Sequence, residues 1–103
     1  MVQTIDIHKV QDVGKEKAAV VMFSASWCAG CKAVKPVYEE ASDKCSNVLD
    51  FYYTEVDDDI EEAEKYGVRN LPAVVLFENG EKVKAVAGQV DKAKITDVIQ
   101  SYL

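Results

Sequence analysis

The apolar positions of this chain change period several times, and each change marks an element. Val2 to Ile7 holds enough β-branched residues for a short first strand, and Val10 and Val13 give a weak helical segment ending among Lys15, Glu16 and Lys17. Ala18 to Ser24 is continuously apolar and β-branched, the mark of a strand buried on both faces. From Gly30 the period lengthens: Val34, Val37, Tyr38, Ala41 and Cys45 form one stripe of a helix running to Lys44 or Cys45, with Pro36 inside it as an expected kink. Val48 to Val56 returns to strand character. Asp57, Asp58 and Asp59 offer N-caps for a short helix, Ile60 to Tyr66, that Gly67 closes. Ala73 to Glu78 is a further strand, and Asn79-Gly80 predicts a type I′ hairpin into Lys82 to Ala87, an edge strand guarded by Lys82 and Lys84. After Gly88, Asp91 caps a last helix whose apolar face is Ile95, Val98, Ile99 and Tyr102. Strands and helices alternate and a hairpin and helix finish, so the expected fold is α/β, its sheet parallel in the middle with an antiparallel margin and helices on both faces.

Composition narrows the function classes. At 103 residues the chain is expected to form one domain. Its 18 acids against 12 bases give a net charge of −6, which argues against a nucleic-acid partner. No apolar run approaches the roughly 20 residues of a membrane span, and the N-terminus lacks a signal-peptide pattern, so the expected location is cytoplasmic. The acids crowd between Glu55 and Glu64, where a solvated helix favouring its own dipole is the plain reading and a patch steering basic partners the functional one.

Candidate chemistry lies in Trp27-Cys28-Ala29-Gly30-Cys31, where strand character gives way to helix. Two thiols at this spacing can close a disulfide and reopen it. A thiolate is the attacking species, and a free thiol with a pKa of about 8.5 needs stabilisation to ionise. At a helix N-terminus, unpaired amides and the dipole favour charge on Cys28, leaving Cys31, one turn further in, to resolve a mixed disulfide. A zinc or iron–sulfur site needs more ligands, and only Cys45 and His8 remain. Cys45 is in phase with the buried stripe and His8 reads as a surface residue, so no metal site is expected in a single chain, a site shared by two chains being the alternative.

Together these residues resemble the thioredoxins, in particular small single-domain eukaryotic ones. The resemblance rests on Phe23-Ser24-Ala25-Ser26-Trp27-Cys28-x-x-Cys31-Lys32, Pro36, Glu55-Val56-Asp57, Tyr66-Gly67-Val68-Arg69, Leu71-Pro72, Phe77-x-Asn79-Gly80 and Gly88. It implies a thioredoxin fold, a five-stranded mixed sheet flanked by four helices. It also implies a monomeric protein-disulfide reductase that needs no cofactor of its own, recharged by an NADPH-dependent thioredoxin reductase and serving peroxiredoxin-type clients among others. Pro72 matches the family's cis-proline, and Leu71 before it offers backbone hydrogen bonds to an extended substrate. Trp27, Leu71, Pro72 and Gly88 would form an apolar platform around Cys28; core packing is the alternative for Trp27. Alternatives of function are an oxidase or isomerase with a more oxidising couple, or a binding module without turnover.

Three departures from the family pattern touch the active site. Ala29-Gly30 replaces the usual Gly-Pro, so Gly30 regains an N–H that could point at the Cys28 sulfur. Met22 stands where the family keeps a buried aspartate, and Tyr53 where it keeps the neighbouring lysine. Loss of the aspartate is expected to slow proton removal from Cys31 and to lower the Cys28 pKa, making the couple more oxidising.

Overall fold

The structure is a computed structural model and describes residues 2–57 and 59–102. In chain order it contains β1 (Val2–Thr4), a 3-10 helix (Ile7–Asp12), β2 (Ala19–Ser24), α1 (Ala29–Cys45), β3 (Asp50–Glu55), α2 (Ile60–Glu64), β4 (Ala73–Glu78), β5 (Glu81–Ala87) and α3 (Lys92–Gln100). The strands form one sheet in the order β1-β3-β2-β4-β5. β1, β3 and β2 run parallel, and β4 and β5 are antiparallel to their neighbours. This is the expected five-stranded mixed sheet with four helical segments, the first of them 3-10.

β2 is central and all six of its residues are buried, as its unbroken apolar run requires. Its alternate side chains serve opposite layers. Val20 and Met22 pair in register with Phe51 and Tyr53, whose rings meet Tyr38 of α1 at 5.6 and 5.4 Å. Phe23 points the other way, toward Tyr66 after α2, and Tyr66 stacks edge-on against Phe77. α1 and α3 touch each other on one side, α2 and the 3-10 helix on the other. Tyr38 locks α1 to the sheet: its buried hydroxyl lies 2.9 Å from the carbonyls of Val20 in β2 and Tyr52 in β3.

Several elements are shorter than the sequence predicts. β1 stops at Thr4 because Asp6 caps the next segment, accepting from the His8 amide at 2.8 Å. That segment is a 3-10 helix ending at Asp12, ahead of the expected Lys15 to Lys17. Gly14 turns the chain at φ +76°, so close to the sheet that a Cβ there would lie 2.7 Å from the Phe77 Cβ. β3 begins at Asp50 rather than Val48, which is exposed. In α1 the buried positions are Cys31, Val34, Tyr38 and Ser42; Val37, Ala41 and Cys45 lie at the margin of the stripe. Pro36 sits inside α1 and withholds one backbone donor there. Tyr102, expected on the apolar face of the last helix, lies beyond its end and is exposed.

The predicted caps hold. Asp59 and Asp91 accept from the Glu62 and Lys94 amides at 3.0 and 2.9 Å; Asp58 lies outside the described residues. Gly67 (φ +75°) closes α2 with two bonds, its N–H to Glu64 O and the Val68 N–H to Ala63 O, a Schellman pattern that carries the helical turn to Tyr66. Asn79 and Gly80 both have positive φ, as a type I′ turn demands. The acidic run is not wholly solvated. α2 presents Glu62 and Ala63 to the protein body and Ile60 to solvent, so Glu62 is only 7% exposed.

Candidate active site

The cysteine pair forms where β2 ends and α1 begins. Cys28 is the N-cap of α1 and Cys31 lies in its first turn; the two are joined by a disulfide with Cα atoms 5.4 Å apart. The Cys31 amide donates to Cys28 Sγ at 3.2 Å. That bond puts a sulfur where a capping oxygen usually sits, among donors the first helical turn leaves unpaired. In the reduced protein the same amide and the helix dipole favour a thiolate on Cys28. The donor is the Cys31 amide rather than the expected Gly30 amide. Cys28 is 8% exposed and Cys31 only 1%, an ordering that makes Cys28 the sulfur within reach of solvent.

Around the pair the structure brings together most of the residues singled out from sequence. Trp27 is 67% exposed, which rules out core packing for it. The Leu71–Pro72 peptide is cis. Pro72 faces the start of α1, its Cδ 3.7 Å from where a Gly30 Cβ would be. The Pro72 carbonyl accepts from the Gly88 amide at 2.9 Å, and Gly88, at φ +83°, has open space on its side-chain side. Two hollows flank Leu71. One is bounded by Trp27, Ile60, Val68 and Arg69, the other by Gly30, Val34, Pro72, Gly88 and Val90. Ala29 opens α1 and is exposed.

Below the site, Met22 is fully buried in the same apolar cluster as both cysteines. Its register partner Tyr53 is nearly buried, and the Tyr53 hydroxyl donates to Glu39 Oε1 at 2.9 Å. Lys35 Nζ lies 5.1 Å from the Tyr53 ring centre. Burial first, then the Glu39 carboxylate, pushes the Tyr53 hydroxyl pKa far up, so it stays a neutral donor. The charged side chains nearest Tyr53, Lys35 and Glu39, both belong to α1.

One contact that bears on the site was missed in the sequence. Asp57 accepts from the Ser26 amide at 3.2 and 3.1 Å through its two oxygens and from the Ser26 hydroxyl at 2.8 Å. Ser24 pairs with Glu55 at the end of the β2/β3 ladder, and Ser26 and Asp57 lie two residues beyond each. The clamp thus continues the ladder with a side chain and holds the loop just before Trp27. The available signal was positional: loops past the carboxyl ends of adjacent parallel strands meet there. Cys45 stays apart, a free and half-buried thiol lining a groove between α1 and α3.

Comparison with known proteins agrees with this geometry. The Thioredoxin family model matches residues 4–101. The thioredoxin of Malassezia sympodialis is 36% identical over 93 residues, covering 89% of this chain and 88% of that protein. Its crystal structure superposes with a TM-score of 0.86 over 98% of this chain and 90% of that one, at 35% identity. Thioredoxin C-2 of Corynebacterium nephridii is 35% identical over 104 residues, covering all of this chain and 96% of that protein. The M-type chloroplastic thioredoxin of Pisum sativum is 32% identical over 88% of this chain, which spans only 53% of that longer protein. A family model covering almost the whole chain, a shared fold and a disulfide at the start of α1 place this protein in the thioredoxin family.

Proposed function

We propose that the protein is a thiol–disulfide oxidoreductase that reduces disulfides in other proteins through a Cys28/Cys31 dithiol–disulfide cycle. The observation that carries this reading is the bond from the Cys31 amide to Cys28 Sγ at the N-cap of α1. It favours the attacking thiolate without any cofactor. The Cys28 thiolate attacks one sulfur of a substrate disulfide; that S–S bond breaks and the other substrate sulfur leaves as a thiolate. Cys31 then loses its proton and attacks Cys28 in the mixed disulfide. The second substrate sulfur leaves, and two electrons have passed to the substrate while the Cys28–Cys31 bond has formed.

The surface suits an extended polypeptide. Trp27, Leu71, Pro72 and Gly88 line the two hollows flanking Leu71 beside the start of α1, and in this reading they receive the chain, the half-buried Leu71 contributing backbone groups and the open side of Gly88 leaving it room. A reducing compartment such as the cytosol fits this role. Recharging requires an external two-electron donor, for which an NADPH-dependent flavoprotein reductase is the proposed class, with peroxiredoxin-type proteins among the clients. Met22 in place of a buried acid supports a couple somewhat more oxidising than that of family members with the aspartate. Insulin reduction with dithiothreitol as donor tests the reading. Acceleration lost in Cys28→Ser and kept in Cys45→Ser supports it; no acceleration, or acceleration indifferent to Cys28→Ser, favours a binding module.

A further inference from the structure

We propose that His8, Asp59 and Glu62 form a binding site for a divalent transition-metal ion of the Zn2+ type, bridging the 3-10 helix and the start of α2. One ligand atom from each residue lies within 4.8 Å of the others. His8 Nε2 and Asp59 Oδ2 are hydrogen-bonded at 2.9 Å; sharing one tetrahedral ion at about 2.0–2.2 Å each needs them roughly 3.4 Å apart, so the ion replaces the bridging proton as the two atoms part by about half an ångström.

The surroundings orient these ligands as metal sites do. His8 Nδ1 lies 2.8 Å from Asp6 Oδ1. A carboxylate on the far ring nitrogen fixes the tautomer, aims the Nε2 lone pair at the site and raises its basicity. Asp59 is held in turn, its Oδ1 accepting from the Glu62 amide at 3.0 Å. Glu62 is a carboxylate only 7% exposed, and its partner Lys65, 2.8 Å away, has a side chain 69% exposed and able to withdraw into solvent. Two carboxylates balance the charge of a dication, and any proton on Nε2 leaves as the ion arrives. An imidazole with two carboxylates selects a zinc-like ion over Mg2+ or Ca2+, which take oxygen ligands. Three protein ligands leave a fourth position for water. The ligands come from segments 51 residues apart in the chain.

His8 is the sole histidine of the sequence, so its ring resonances report the site without ambiguity. The test titrates Zn2+ into untagged, oxidised Cys45→Ser protein, in which neither the closed disulfide nor Cys45 supplies a thiolate, following heat and the His8 ring by NMR. One ion per chain is expected, with His8 in the Nδ1–H form and the metal on Nε2. Asp6→Asn should weaken binding by about 10- to 100-fold, and His8→Gln and the shape-preserving Glu62→Gln by at least as much. Unmoved His8 resonances at millimolar Zn2+, or equal affinity in a folded His8→Gln protein, would overturn the proposal.

Discussion

Met22→Asp is the most informative perturbation of the core beneath the cysteines. Met22 is wholly excluded from solvent on β2, flanked in register by Tyr53 on one side and Val74 on the other. An aspartate there has no cation beside it, so burial raises its pKa by roughly 3 units, within the range for enclosed carboxyls. At about 1.36 kcal/mol per unit, ionisation then costs about 4 kcal/mol of stability near neutral pH. The sign follows from linkage. Below about pH 3.9 the carboxyl is protonated in both states and the cost vanishes. As pH rises, the unfolded chain ionises first, and the cost grows until the folded group ionises too. Met22→Asn removes the same volume without the charge and isolates this effect. Urea unfolding of wild type, Met22→Asn and Met22→Asp across this pH range should show the Asp–Asn difference opening with pH. Adding Tyr53→Lys should recover about 3 kcal/mol beyond additivity, since neighbouring strands lie about 4.8 Å apart and the pair would be buried. In the reduced protein, Met22→Asp should also slow Cys28 alkylation at neutral pH. A pH-independent difference would refute a dry pocket at Met22, and unchanged alkylation would place Cys28 beyond its electrostatic reach.

Tyr38→Phe removes the hydroxyl tying α1 to β2 and β3, and should cost about 1 kcal/mol because its one proton, shared between the Val20 and Tyr52 carbonyls, is lost; a change within the error of urea unfolding would contradict this. Asp57→Ala frees Ser26 and the loop before Trp27, and should lower kcat/KM for insulin roughly five-fold, an effect of about 1 kcal/mol, while the melting temperature moves little. Undiminished turnover would show that the clamp does not position the cysteines. The hydrogen bonds to Asp59 and Asp6 raise the His8 pKa above 6.5, so its contribution is complete below that pH and is lost as pH rises through the raised value. Urea midpoints measured with a chelator present should fall over this window in wild type and stay flat in His8→Gln.

What could be read from sequence was what local chemistry decides. β2 and β4 follow from unbroken β-branched runs, the hairpin from Asn79-Gly80, α2 and α3 from Asp59, Gly67 and Asp91, and the redox pair from its spacing at a helix start. Where expectation and structure part, a distant contact decides. The first helix ends early because Gly14 must pass close to Phe77, a neighbour far along the chain. Glu62 is buried because α2 turns it rather than Ile60 toward the body, and a helix of five residues is too short to announce its facing. Ser26 with Asp57 and His8 with Asp59 are 31 and 51 residues apart, and only the folded sheet brings them together. The cis state of Pro72 was legible through resemblance alone.

The claim on which the rest depends is that Cys28 is the attacking sulfur and Cys31 the one that resolves. Trapping tests it most directly: reduced Cys31→Ser protein is mixed with a disulfide substrate and the adduct is located by mass spectrometry after alkylation of free thiols. A stable mixed disulfide on Cys28, absent from the Cys28→Ser/Cys31→Ser double variant, is the predicted result. An adduct carried by Cys45, or none on Cys28 with substrate in excess, would contradict it.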